Sequence, residues 1–156
     1  MKKTLIVIPQ GENKLEKIAT ELKSALQRVI KFKKTEMMAL SDIDSTDCFL
    51  EHDILILGTP TIKKDISWPV QVKIDAMLHK EKCDLSTKVV SGFTSSDDFN
   101  EANRCLEAIL WAFKETNATV LDGLVILDSF TNKEKTKKLK EFIDTLKEIK
   151  NDADSS

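Results

Sequence analysis

The sequence predicts an α/β protein: a three-layer, doubly wound, parallel five-stranded sheet with helices on both faces. Three observations lead there. Asp53-Ile54-Leu55-Ile56-Leu57 carries four consecutive large apolar residues, a run too short for a helix and without alternation, which is the pattern of a strand buried on both faces. Thr4–Ile8 is a second run of the same kind. Around them, apolar stripes at helical spacing recur, so that strand and helix alternate five times along the chain. That order belongs to a parallel sheet with right-handed crossovers.

Each element has its own signal. The first strand, Thr4–Ile8, is broken by Pro9-Gln10-Gly11-Glu12. A helix is expected from Lys14 to Val29, with Leu15, Ile18, Ala19, Leu22, Ala25, Leu26 and Val29 on one stripe. Asn13 is its expected N-cap, and Glu16 stands where a capping box needs it. Ile30–Leu40 is charged and loosely alternating, which suits an edge strand. The polar turn Ser41–Ser45 leads to a short amphipathic segment around Cys48, Phe49 and Leu50. The strand of Ile54–Leu57 follows and ends abruptly in Gly58-Thr59-Pro60-Thr61.

Pro69–His79 reads as a helix with Pro69 in its first turn and Val70, Ile74, Met77 and Leu78 facing inward. Lys88–Phe93 is the next strand, closed by the loop Thr94–Asp98. Asp98 and Glu101 form a capping-box pattern for a helix from Phe99 to Thr116. Its inward positions are Ala102, Cys105, Leu106, Ile109, Leu110 and Phe113, with Trp111 at the border of the stripe. Thr119–Leu121 and Leu124–Leu127 flank Asp122-Gly123, as one bulged strand or two short ones. The last helix, Asn132–Ile149, buries Leu139, Phe142, Ile143, Leu146 and Ile149 and turns a lysine-rich face to solvent. Residues 1–150 are expected to form one domain, with 151–156 as a disordered C-terminal tail.

Composition narrows the function. A net charge of -2 with interspersed signs leaves no footprint for a nucleic-acid partner. No apolar run reaches membrane length and no signal peptide is recognisable, so neither a membrane partner nor export is expected. Cys48, Cys83 and Cys105 are odd in number and lack CxxC spacing, against a disulfide framework or zinc site and in favour of a cytoplasmic location. His52 and His79 have no metal-ligand spacing and read as boundary or surface residues. There is no G-x-S-x-G elbow and no Ser-His-Asp order, and Cys105 falls on a buried stripe as a core filler. The first loop lacks G-x-G-x-x-G, the chain has no P-loop, and the strand ends lack the acidic residues of a phospho-receiver.

Gly58-Thr59-Pro60-Thr61, with Ser67, Pro69, Ile74 and Asp75 after it, resembles the Gly-Ser/Thr-Pro-Thr loop and following helix of the flavodoxin-like family, the flavodoxins and related FMN-dependent reductases. Glu16-Lys17-Ile18-Ala19 is similar to that family's first helix and Phe93-Thr94-Ser95 to its fourth-strand loop. The resemblance implies strand order 2-1-3-4-5, with the switch point between strands 1 and 3. It also implies FMN as cofactor, with the phosphate on Gln10, Gly11, Asn13 and Lys14. The ring would then lie between Thr59, Pro60, Thr61 and Ile62 on one side and Thr94, Ser95, Ser96 and Phe99 on the other. No catalytic side chain is implied, and the partner would be a redox protein.

The chain departs from the family pattern in named places. Gln10, Gly11, Glu12 and Leu15 stand where the family's phosphate loop carries hydroxyls, and Glu12 would bring a carboxylate toward a phosphate. Ile62 replaces an aromatic and Lys64 a glycine, and Trp68 is expected to pack against the helix starting at Pro69. Asp97 and Asp98 take the place of glycines, with helix capping as their simpler role. Two functions therefore stand side by side: an FMN-dependent electron-transfer or reductase protein, and a binding or scaffold module that keeps the fold without the flavin.

Overall fold

All strands run parallel, which is why the central ones read as unbroken apolar runs: both of their faces are covered. The computed structural model describes residues 2–61 and 69–149, with the backbone alone for residues 69–71 and 81. Ile62, Lys64, Ser67 and Trp68, the inward placement of Val70, and the tail 151–156 lie outside what is described. The elements are β1 (Lys3–Ile8), α1 (Asn13–Gln27), β2 (Lys34–Ala39), α2 (Asp47–Leu50), β3 (Ile54–Gly58), α3 (Pro69–Glu81), β4 (Val89–Ser96), α4 (Phe99–Lys114), β5 (Thr119–Val120), β6 (Leu124–Leu127) and α5 (Asn132–Lys147). The sheet order is β2-β1-β3-β4-β5, with β6 also paired to β4. This is the order implied by the family resemblance.

Alternate residues of the central strands serve two cores. Leu5, Val7, Leu55, Leu57 and Val90 meet Phe49 of α2, Ile74, Met77 and Leu78 of α3, and Ile109 and Phe113 of α4. Ile6, Ile8, Ile54 and Ile56 meet Leu15, Ile18, Leu22 and Leu26 of α1 and Phe142, Ile143 and Leu146 of α5. The period of two along each strand thus produces the three layers. Burying one such leucine or isoleucine side chain is worth about 1.5–3 kcal/mol. Leu139 and Ile149 are only partly covered.

Several boundaries differ from expectation, each for a structural reason. Ile30–Phe32 is a 3₁₀ turn that precedes the edge strand. β4 continues through Thr94, Ser95 and Ser96, because β6 pairs with it from Phe93↔Leu124 to Ser96↔Leu127. The hydroxyl residues expected in a loop are therefore ladder residues. β5 and β6 form one interrupted edge: between the pairs Val90–Val120 and Phe93–Leu124 the edge carries one residue more than β4, a bulge. Ser91 Oγ donates to the carbonyls of Leu121 and Asp122 there, at 3.4 and 3.1 Å. Gly123 is required by close approach, since a Cβ would lie 2.3 Å from a Leu106 methyl.

Helix starts differ as well. Asp98 caps α4, accepting from the N–H groups of Asn100 and Glu101, as expected, while the Glu101 carboxylate turns to Arg104. Thr131 and Glu134 form a full capping box at α5. Asn13 is not a cap. It is the first helical residue of α1, the N-cap position belongs to Glu12, and no side chain among the described residues caps the helix. His52 stands at the boundary between α2 and β3, as expected, and is buried there. Its Nδ1 faces the Cys48 carbonyl at 2.6 Å and its Nε2 faces Glu36 at 3.1 Å, which ties α2 to β2. His79 and Trp111 are exposed, with Lys114 Nζ 4.8 Å from the Trp111 ring centroid.

Candidate functional site

Because the strands are parallel, the loops leaving Ile8, Gly58, Ser96 and Leu127 all emerge at one end of the sheet. Ligands of open α/β sheets bind at that end, where neighbouring connections part to opposite faces. The parting lies between β1, whose chain enters α1 on one face, and β3, whose chain leads to α3 on the other.

The first loop and the opening turn of α1 hold Gln10, Gly11, Asn13 and Lys14, all exposed. Gly11 has φ +80° and open space where a Cβ would stand, so its glycine is required by backbone conformation and not by crowding. The turn delivers the chain into α1 with Glu12 at φ −103°, ψ 82°. Glu16 N–H already bonds the Glu12 carbonyl at 2.9 Å, as in any helix interior. The earlier N–H groups of the first turn have no side-chain acceptor among the described residues. Such a helix end presents donors and partial positive charge to an anion.

The second and third loops are joined to each other. Thr59 N–H donates to the Phe93 carbonyl at 3.0 Å, and the Thr59 side chain is buried. Thr61 Oγ1 lies 2.9 Å from Thr94 Oγ1 and donates to the Ser95 carbonyl at 3.1 Å. The hydroxyls of Thr61 and Thr94 are thus engaged with each other, which sets the loop after β3 against the end of β4. Between these loops opens a cleft of about 620 Å³, lined by Thr61, Ser95, Ser96, Asp97, Asp98, Glu101 and Asp128.

The structure brings Thr61, Ser95 and Ser96 together in this cleft, with Thr59 and Pro60 immediately before Thr61. Gln10, Gly11 and Asn13 stand at the start of α1, and Lys14 reaches the cleft wall through Asp128 at 3.2 Å. Phe99, exposed at the start of α4, lines a groove of about 770 Å³ between α4 and α5, with Leu106, Leu124 and Phe142. Ile62 lies outside the described residues. Two cleft residues, Asp128 and Glu101, escaped the sequence reading. Asp128 was findable, since it directly follows the last strand and must share the ligand end of the sheet. Glu101 looked like a capping residue alone.

No family model and no curated relative matches the sequence. Solved structures match along nearly the whole chain. Oxidised flavodoxin 1 from Bacillus cereus superposes with a TM-score of 0.77 at 17% identity, covering 95% of this chain and 99% of the other. This chain has the flavodoxin-like fold. Flavodoxin 2 of the same organism matches with a TM-score of 0.74 at 25% identity, over 94% and 98% of the two chains. The flavodoxin of Fusobacterium nucleatum bound to flavin mononucleotide matches with a TM-score of 0.75 at 15% identity, over 94% and 98%. At such identities the shared property is the flavodoxin fold, and function must be argued from the site.

Three features fit FMN to this version of the flavodoxin fold. The start of α1 is uncapped, Gly11 lets backbone approach without a side chain, and the cleft is open between the loops after β3 and β4. The side chains are less usual. Among the described residues that line the cleft, Asp97, Asp98, Glu101 and Asp128 carry carboxylates. Asp98 is engaged in capping α4 and Glu101 with Arg104 at 2.8 Å.

Proposed function

We propose that this chain is an FMN-binding electron carrier of the flavodoxin type, exchanging electrons with a redox partner protein in the cytoplasm. The observation that carries this reading is the uncapped α1 N-terminus at Gly11, sharing one sheet end with the cleft beside Thr61. Backbone N–H groups from Gln10, Gly11, Asn13 and Lys14 would hold the phosphate. Thr59, Pro60, Thr61 and Ile62 would flank the ring on one side and Thr94, Ser95 and Ser96 on the other. Phe99, exposed at the start of α4, also lines the α4–α5 groove, and its place beside the ring is part of the proposal. FMN, when bound, supplies one- and two-electron transfer. The protein's contribution is to bind and orient the flavin and to limit its contact with water. No side chain is needed as an acid or base. None of the described helices is long and apolar enough to cross a membrane.

Titration of the purified protein into FMN tests the reading. Saturable fluorescence quenching is expected, together with a flavin absorption band on the reconstituted protein. A protein that leaves FMN fluorescence untouched would sink it.

A second reading keeps the fold without the flavin, as a binding or scaffold module. The carboxylates lining the cleft and the exposed Glu12 beside the first loop favour it. Under this reading calorimetry detects no FMN binding by the unmodified chain, and Glu12→Thr partly restores it.

A further inference from the structure

One side chain joins the first loop to the end of β4. Asp128 Oδ1 accepts from Lys14 Nζ at 3.2 Å and from Ser95 Oγ at 3.3 Å, while the Asp128 N–H donates to the Ser96 carbonyl at 2.8 Å. Lys14 is the second residue of α1 and the only cation in the stretch Gln10–Leu15. Its side chain is 73% exposed, so packing does not fix the ammonium. Asp128 holds it. The same charges recur in the neighbouring cavity of about 310 Å³, where Lys14, Lys17 and Glu21 of α1, Lys135 of α5, Ser95 and Asp128 meet.

A phosphate arriving at the start of α1 would find its nearest lysine already paired to a carboxylate. It must draw Lys14 away from Asp128 and then lie near the uncompensated Asp128 charge. Each step disfavours a dianion and leaves an uncharged ligand unaffected. We propose that Asp128 is a specificity-determining residue that competes with the flavin's phosphate for Lys14, and so narrows the preference for phosphorylated over unphosphorylated flavin. The proposal rests on the flavin-binding reading above. It differs from a purely structural role for Asp128, in which loss of the clamp between Ser95, Ser96 and Lys14 would weaken every ligand of the crevice alike.

FMN and riboflavin are each titrated by fluorescence quenching into the unmodified protein, Asp128→Asn, Lys14→Gln and the double variant. Removing one carboxylate charge beside a screened phosphate, and releasing Lys14 to it, is expected to tighten FMN by about fivefold to tenfold. Riboflavin affinity is expected to stay within about twofold, since it carries no phosphate charge. Lys14→Gln should remove the part of the gain that the freed ammonium supplies and leave only the part due to the lost carboxylate charge. Asp128→Ser removes the same charge and stands in should the Asn variant fail to fold. Weaker FMN binding in Asp128→Asn, or an equal change for both flavins, overturns the proposal. If the unmodified chain binds neither flavin while Asp128→Asn binds FMN, the competition is upheld and the electron-carrier function falls. If the unmodified chain binds FMN and Asp128→Asn binds it equally well, only the competition falls. If no variant binds either flavin, both fall.

Discussion

Thr4 sits in the central strand β1 with no exposure, and its Oγ1 has no hydrogen-bond partner among the described residues. A buried hydroxyl without a partner forfeits its hydration and gains nothing in return. Thr4→Val keeps the branched shape and removes that hydroxyl, so it should stabilise the protein by about 1 kcal/mol. Urea unfolding measures it, and a destabilised variant would reveal a partner for the hydroxyl. Cys48 offers a second residue-level test. Burial, with the charges of Glu51 and Asp47 adding to it, pushes its thiol from 9.0 up to about 11 against the pull of local backbone hydrogen bonds. A raised folded value means the native state holds its proton more tightly. The associated stability is fully present below about pH 9 and is lost as pH rises toward about 11. Native protein at pH 8 should therefore react slowly with a thiol reagent at Cys48. The loss of unfolding free energy between pH 8.5 and about 10.5 should be smaller in Cys48→Ala.

At the scale of elements, the helix starts divide by task. All three helices start at the ligand end of the sheet, yet Asp98 and the Thr131–Glu134 box cap α4 and α5 while α1 carries no side-chain cap among the described residues. Capping is a local reward that an anion-binding helix end must forgo. Thr131→Ala should cost about 1 kcal/mol, read as a lower denaturation midpoint with the slope unchanged, and FMN affinity should not move. Thr-Asn-Lys-Glu has the capping-box spacing, a signal the sequence reading passed over. The Asn13–Glu16 pair has that spacing too and forms no box, because the left-handed Gly11 directs Glu12 into the cap position. Spacing alone could not separate the two.

For the whole molecule, the parallel sheet gathers four strand ends at one edge, so ligand binding there should stabilise the entire cooperative unit. Free FMN at about a hundredfold excess over its dissociation constant should add about 2.7 kcal/mol. For a domain of this size that raises the melting temperature by about 5–10 °C. Differential scanning calorimetry with and without FMN checks it. An unchanged melting temperature at saturating FMN would argue for the flavin-free module.

The order of strands and helices, the two-faced burial of β1, β3 and β4, and the core stripes of α1, α4 and α5 were determined by the sequence itself. Hydrophobic period and run length are local, and burying those residues leaves few arrangements open. The Gly58-Thr59-Pro60-Thr61 turn likewise announced one wall of the crevice. Only tertiary structure decided that Thr94–Ser96 are ladder residues, since their partner Leu124–Leu127 lies some thirty positions away. It alone brought Phe99 to the α4–α5 groove and set Thr61 against Thr94. It also placed Asp128 on Lys14, a contact across 114 positions. Such pairings depend on where separate strands end in space, and no local pattern of residues encodes that.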